Sequence, residues 1–490
     1  MSTSKACFDE LVDKNIAEAG WDFMEGVKKN RILIKTYGCQ MNFHDSGLIE
    51  DGFLKNGFDK AGSLRDADIV ILNTCSVREN ADHKIVSEIG RLKGDKKIVL
   101  TGCFARQIKL KRENGVSVNN ADIPVDYCFA PDEILSIPEI LAGNFEKNYN
   151  GDINDKGFKE EFKATAKDDY QNFNLVEEYF YNKKVDSGFA TIKIIEGCNN
   201  FCSYCIVPFV RGKERSIPFE IIYNSAKRYA DKGVRELLLL GQNVNSYLSP
   251  EDDKKDFSYM LESLTKIDGI KKIKFLTSHP KDFNDKLIEL IASNDKISKN
   301  IHLPVQAGSD RILSAMNRGY IRRDYLNLIE KLRKKCPDAA FSTDIIVGFP
   351  TETKEDFNMT LSLIDEAGFD FLFGFKYSPR PFTKAFKIKD DVSLKEKKER
   401  LGMVFEKQKK VFSSILNNLK GKRLDVTILA VDKEKNSAEF KNGILFKGEG
   451  LNDRTVYIVN KDKYKNLRIG DKRIADITYI ENNRLYGEVI

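Results

Sequence analysis

The sequence predicts an α/β protein in three parts: an N-terminal parallel α/β domain, a central partial or full β/α barrel, and a small C-terminal all-β barrel. Three observations predict it. Short β-rich apolar runs alternate with helical stretches over residues 31–145 and again over residues 186–415, and such alternation builds parallel sheets. Residues 146–185 are polar, charged and aperiodic, the composition of a linker between two folded units. Residues 420–490 carry short strands at regular spacing with turn signals, the pattern of a small barrel.

Composition sets the bounds. A chain of 490 residues is too long for one ordinary core and predicts two to four domains. Its 41% hydrophobic and 31% charged residues are those of a soluble globular protein. No apolar run reaches membrane-helix length. The opening "MSTSKACFDELVDKNIAEAG" is acidic early and lacks the apolar core of a secretory signal, so a cytoplasmic monomer is expected. Net charge +6 with well-mixed signs permits nucleic-acid binding without requiring it. Nine cysteines, an odd number, argue against a disulfide framework and for metal ligands or reactive thiols.

In chain order, residues 1–30 read as a polar helical lead-in. "RILIKTYG", "ADIVILNTC", "KKIVLTGC" and "VDYCFA" read as strands, with helices in "HDSGLIEDGFLKNG" and "ENADHKIVSEIGRLK". Three of these strands end in Cys39, Cys75 or Cys103. Ligands of open parallel sheets collect at the carboxyl ends of the strands, so three remote cysteines are brought together there. The second series supplies "ATIKIIEG", "RELLLLGQN", "KIKFLTS", "IHLPVQ", "FSTDIIVGF" and "FLFGFKYS". Six strands with intervening helices suit a β/α barrel, whose chemistry sits at the strand C-termini. Residues 393–420 form a long amphipathic, basic helix.

The stretch "IEGCNNFCSYC" places Cys198, Cys202 and Cys205 inside eight residues. Thiolates select iron–sulfur clusters, zinc or copper(I). Structural zinc wants four ligands, and His279 and His302 are remote in sequence. Three cysteines on a four-iron cluster leave one iron open to a small molecule. Zinc and plain structural thiols stay as the competing readings of the residues alone. An electron-transfer or iron-sensing RNA-binding protein is a further alternative, although electron carriers normally close each cluster with four cysteines.

The C-x3-C-x2-C spacing after a first barrel strand, with Tyr204 before the third cysteine, resembles the radical S-adenosylmethionine enzymes. That resemblance implies an open iron chelating the amino and carboxylate groups of the cofactor. With Cys39, Cys75 and Cys103 added, the chain from about residue 31 resembles the methylthiotransferases, whose C-terminal barrel is a TRAM-like RNA-binding domain. "GCQMNFHDS", "NTCSVRENA", "TSHPKDF", "HLPVQAGSDRIL", "DIIVGFPTET" and "YSPRPFTKA" resemble the subgroup that acts on isopentenylated adenosine in tRNA. Relatives acting on threonylcarbamoyl-adenosine tRNA or a ribosomal-protein aspartate typically differ around the first cysteine. The implied cofactors are two 4Fe-4S clusters and two S-adenosylmethionine molecules per turnover. One would donate a methyl group to sulfur at the Cys39/Cys75/Cys103 cluster. The other would be cleaved at the Cys198/Cys202/Cys205 cluster to a radical that takes hydrogen from C2 of N6-isopentenyladenosine at position 37 of tRNA, giving the 2-methylthio nucleoside. An electron donor such as flavodoxin or ferredoxin is implied as well.

Other residues have plainer readings beside functional ones. Gly241, Gln242, Asn243, Ser278, Gln306 and Asp344 stand at barrel strand ends and are candidates for holding S-adenosylmethionine; turn geometry is the alternative. Arg211 and Arg215 are expected at phosphate or at the cofactor carboxylate, or else in solvent. In the C-terminal barrel, with a balance of about +3, Phe446, Tyr457 and Tyr486 would stack on loop bases or fill the barrel's own core. His44 and His83 are unfavoured as fourth ligands, because a filled site would block sulfur attachment. Cys7, Cys128 and Cys336 follow no ligand spacing. Asp45 reads as a helix N-terminal residue facing free amides.

Overall fold

A computed structural model of the chain describes residues 30–76, 79–92, 96–114, 123–144, 188–432, 443–449, 454–461 and 467–490. Residues 1–29 of the lead-in expected over 1–30, and the linker over residues 146–185, lie outside these.

Strands β1 (Arg31–Thr36), β2 (Asp59–Lys60), β3 (Ile69–Thr74), β4 (Lys97–Gly102) and β5 (Tyr127–Cys128) form one all-parallel sheet in the order β2-β1-β3-β4-β5. Helices α1 (Gln40–Lys55), α2 (Glu79–Leu92), α3 (Cys103–Glu113) and α4 (Ile137–Asn144) cover it. Successive side chains of β3 face opposite sides. Ile69 and Ile71 meet Ile49, Phe53 and Leu141, whereas Val70 and Leu72 meet Ile85, Ile89 and Ile108. The strand order reverses between β1 and β3, the place where open α/β sheets take ligands. Three elements were not expected from sequence: the two-residue β2, α3, which begins at Cys103 itself, and α4.

The central part is the partial rather than the closed form of the barrel. Strands β6 (Phe189–Lys193), β7 (Glu236–Leu240) and β8 (Lys272–Phe275) pair in parallel, and so do β9 (Asn300–His302), β10 (Ala340–Val347) and β11 (Phe371–Lys376). A parallel bridge between Ile273 and Ile297 links the two sheets. Among the described residues β11 and β6 do not pair, so one side stays open. All six expected strands are present. The short helix α5 (Val207–Val210) follows the clustered cysteines.

The long helix Leu394–Asn417 packs Val404 into the barrel's core and Leu416 into the core of the C-terminal unit. There β12 (Arg423–Asp432), β13 (Gly443–Glu449), β14 (Thr455–Lys461), β15 (Lys472–Glu481) and β16 (Arg484–Val489) run β12-β13-β14-β16-β15. Antiparallel pairing of Arg423 with Asp476 closes the circle. Asp370, at the foot of β11, forms an ion pair with Arg454 of this barrel. Among the described residues no helix is long and apolar enough to cross a membrane.

Candidate functional site

Cys75 and Cys103 directly follow β3 and β4, Cys39 stands three residues past the end of β1, and backbone proximity shows that these strand ends meet. A Cβ placed on Gly38 would lie 2.9 Å from Cys75 Cβ, and one on Gly102 would lie 2.3 Å from the Thr74 carbonyl oxygen. Gly102 has φ +88°, so both conformation and space require glycine there. Two buried asparagines, overlooked in the sequence, tie these ends together. Asn42 Nδ2 donates to Asn73 Oδ1 at 2.9 Å, and Asn73 Nδ2 donates to the Asn42 carbonyl at 2.8 Å. Asn42 Oδ1 accepts from the Cys39 amide at 3.3 Å. Cys39 is exposed, whereas Cys75 and Cys103 are buried.

The second set is shaped differently. Gly197, with φ +77°, turns the chain so tightly that a Cβ would lie 2.1 Å from the Lys213 carbonyl oxygen. The Cys205 amide donates to the Cys202 carbonyl at 2.9 Å, and the Asn200 amide to Cys198 Sγ at 3.5 Å. Arg318, 4% exposed, reaches in from after the helix Asp310–Ala315. Its Nη1 donates to Cys202 Sγ at 3.3 Å and its Nη2 to the Pro304 carbonyl at 2.7 Å. Burial, and then Cys202, pushes the Cys205 thiol up to about 12. A protonated thiol so placed becomes a thiolate when a metal cation compensates the charge. Among the described residues no three Cys, His, Asp or Glu side chains converge as ligands of a single metal ion. A four-iron cluster, which takes each thiolate on a different iron, makes no such demand. Two sets of free thiols, each met by an arginine N–H, suit it.

The sets lie on either side of one domain boundary. Ile206 and Val210, around α5, pack on Cys103 and Leu110 of α3, while Met41 of α1 packs on Leu238 and Leu240 of β7. His44 Nδ1 lies 3.0 Å from Thr191 Oγ1. Arg211 forms ion pairs with Asp45 (2.8 Å) and Glu196 (3.0 Å), and Lys193 lies 3.7 Å from both acids. Arg211 Nε also donates to Cys103 Sγ at 3.4 Å. Two expectations are corrected here. Arg211, 5% exposed, is held between domains and offers no face to RNA phosphate. Asp45 lies inside α1, not at its N-terminus, because the helix already starts at Gln40. Burial alone would raise the Asp45 carboxyl, but Arg211 and Lys193 outweigh it and hold it below the usual range.

Comparison with known proteins decides the family. Residues 192–364 match the model of the radical SAM superfamily, and residues 31–120 match that of the uncharacterized protein family UPF0004. The tRNA-2-methylthio-N(6)-dimethylallyladenosine synthase of Thermotoga petrophila is 37% identical over 94% of this chain and 97% of its own. The chain belongs to the tRNA-2-methylthio-N(6)-dimethylallyladenosine synthase family. The synthases of Endomicrobium trichonymphae (37% identity; 94% of this chain, 99% of that one) and Carboxydothermus hydrogenoformans (40%; 79% and 85%) agree. A solved radical S-adenosylmethionine methyltransferase from Kitasatospora setae matches with TM-score 0.49 and 13% identity, covering 73% of this chain and 77% of that one.

In this member of the synthase family the six strand-end residues fall into two groups. Gly241, Gln242, Asn243 and Ser278 gather at the ends of β7 and β8. Gln242 Oε1 accepts from the Gly197 amide at 2.6 Å, directly behind Cys198. Asn243 Nδ2 donates to Asp282 at 2.7 Å, and its Oδ1 accepts from the His279 amide at 3.1 Å. Ser278 Oγ and His279 Nε2 are buried without a hydrogen-bond partner in the protein, donors and acceptors that a bound polar molecule would satisfy. Gln306 and Asp344 meet on the other sheet, where the Gln306 amide donates to the Asp344 carbonyl at 2.9 Å. Left-handed backbone at Thr277, Gln306 and Thr351 concentrates strain at this same face, as functional sites do.

The C-terminal aromatics are only partly available to RNA. Tyr486, 1% exposed, is sandwiched between Tyr457 (5.4 Å) and Tyr479 (4.6 Å), so it stacks on protein rather than on a base. Tyr457 stays half-buried under the Arg484 guanidinium. The side chain of Phe446, like those of Cys7 and His83, lies outside the described residues. Arg215 is half-exposed and reaches Glu196 at 3.5 Å. Cys336 is a core residue, and Cys128 packs against the N-terminal core.

Proposed function

We propose that this chain is a tRNA methylthiotransferase that converts N6-isopentenyladenosine at position 37 to its 2-methylthio derivative. The observation that carries the reading is the placement of two three-cysteine sets, each one thiolate short of closing a cubane, across a single domain boundary. Cys198, Cys202 and Cys205 would hold one 4Fe-4S cluster, and Cys39, Cys75 and Cys103 a second. With S-adenosylmethionine bound, the first supplies the radical that takes hydrogen from an unactivated carbon, and the second a place for the incoming sulfur. The chain's own residues hold and orient. Arg318 and the Asn200 amide direct N–H groups at the radical-site sulfurs, while Gln242 fixes the turn before Cys198. Ser278 and His279 present unsatisfied polar atoms to a cofactor at the strand ends. The Asn42–Asn73 pair fixes the strand ends that carry the other set. Residues 31–145, 186–415 and 420–490 act as cluster domain, radical domain and RNA grip. A small electron-transfer protein such as flavodoxin or ferredoxin is the expected reductant.

The decisive experiment is nucleoside analysis of bulk tRNA from a strain lacking the gene. The isopentenyl nucleoside should accumulate without its methylthio group, and restoring the gene should reverse this. An unchanged nucleoside profile rejects the assignment.

A further inference from the structure

Arg211 belongs by sequence to the radical-site loop, yet its guanidinium lies against a cysteine of the other set. It is 5% exposed and touches three partners from three elements: Asp45 on α1, Glu196 after β6, and Cys103 at the start of α3. The charged groups around it are Asp45, Glu196 and Lys193, all buried, with the half-exposed Arg215 behind Glu196. His44 beside Asp45 is fully buried and held neutral. A structural ion pair between domains would need only the two carboxylates. The Nε–H aimed at Cys103 Sγ goes beyond that need.

We infer that Arg211 is a positioning residue for the Cys39/Cys75/Cys103 cluster, through which the radical domain sets that cluster's reduction potential. This rests on the reading of those cysteines as ligands of one cluster. The sign follows from charge. Each added electron makes a thiolate-bound cluster more negative, so a buried cation at one ligand sulfur favours the reduced form and raises the potential. Asp45, paired with the same guanidinium at 2.8 Å, opposes it. Partners of ligand atoms tune metal centres in this way. Because Arg211 is carried by the chain just after Cys205, the potential of one centre depends on how the other domain docks.

The test uses full-length protein in which Cys198, Cys202 and Cys205 are alanine, reconstituted without oxygen so that only the inferred cluster remains. Its midpoint is read by redox titration followed by electron paramagnetic resonance, with iron counted in each sample. Arg211→Gln should shift the midpoint to lower potential, and Asp45→Asn should shift it to higher potential. Arg211→Lys, which keeps the charge but loses the fork, should fall between parent and Arg211→Gln. A role confined to holding the domains together would move the first two variants in the same direction or neither, and either result overturns the inference. Should Arg211→Gln fail to hold iron, the Asp45→Asn midpoint decides alone: an upward shift supports the inference, and no shift or a downward one rejects it. A parent without any iron removes the cluster reading itself, and this inference with it.

Discussion

At Gly197 the backbone turns with φ +77°, and an added Cβ would sit 2.1 Å from the Lys213 carbonyl oxygen. Left-handed backbone alone costs a non-glycine residue about 1–3 kcal/mol, and here the neighbour is backbone that has nowhere to go. Gly57 isolates the first effect, since its φ is +83° but nothing lies within 4 Å of a Cβ there. Gly197→Ala is therefore expected to displace Cys198 and, on the proposed two-cluster reading, to lose about half the bound iron. Gly57→Ala should lower the melting temperature slightly and keep all of it. Iron counts per chain check both; equal iron in the two variants would contradict the argument. The six cysteines were legible in the sequence because thiol spacing and strand ends are local features. Arg318, Asn42 and Asn73 were not, and Arg211 was singled out for phosphate or the cofactor carboxylate, not for Cys103. Each matters through a partner at least 31 residues away, and nothing in "VRG", "MNRG" or "QMN" announces that partner.

Among the elements, strands were easier to read than their arrangement. All six barrel strands appear as short apolar runs, most fully in β7, whose leucines are buried on both faces. Whether six strands close was beyond the sequence, since closure depends on tilt and register rather than composition. Helix α3 was overlooked because "CFARQIKLKRE" begins at a cysteine, with no capping residue to mark its start. The long helix Leu394–Asn417 was visible from its amphipathic pattern, but its role as a strut was not. At 24 residues it spans about 36 Å, with Val404 in one core and Leu416 in another. Leu416→Asp places a charge in the small barrel's core and should unseat that barrel. Leu416→Ala, which only leaves a cavity, should cost about 2–5 kcal/mol. If the barrel is the RNA grip, Leu416→Asp should abolish tRNA modification while S-adenosylmethionine cleavage without tRNA continues. Loss of both activities together would place the barrel's contribution elsewhere.

For the molecule as a whole, the domain boundary carries its own pH dependence. The chain has only four histidines, and two of them are buried and held neutral. Burial first, then Lys193, lowers His44 from 6.5 to about 4, and burial first, then Arg318, lowers His279 to about 2. The unfolded chain takes up a proton near pH 6.5, but the folded one does so only well below it. Each such histidine therefore leaves stability unaffected above pH 6.5 and removes it as pH falls. For His44 the loss runs from about pH 6.5 to about pH 4 and amounts to roughly 3 kcal/mol at its full extent. His44 bridges α1 to Thr191 of β6, so acid should part the cluster domain from the radical domain before it unfolds either. Iron-free protein is the right sample, because acid decomposition of a cluster then plays no part. Limited proteolysis between pH 7 and pH 4.5 should show the boundary opening in the parent. In His44→Gln, which keeps a hydrogen-bonding side chain but no titrating one, the opening should depend much less on pH. Parallel acid responses in parent and variant would mean that the two domains are held together by contacts indifferent to this histidine.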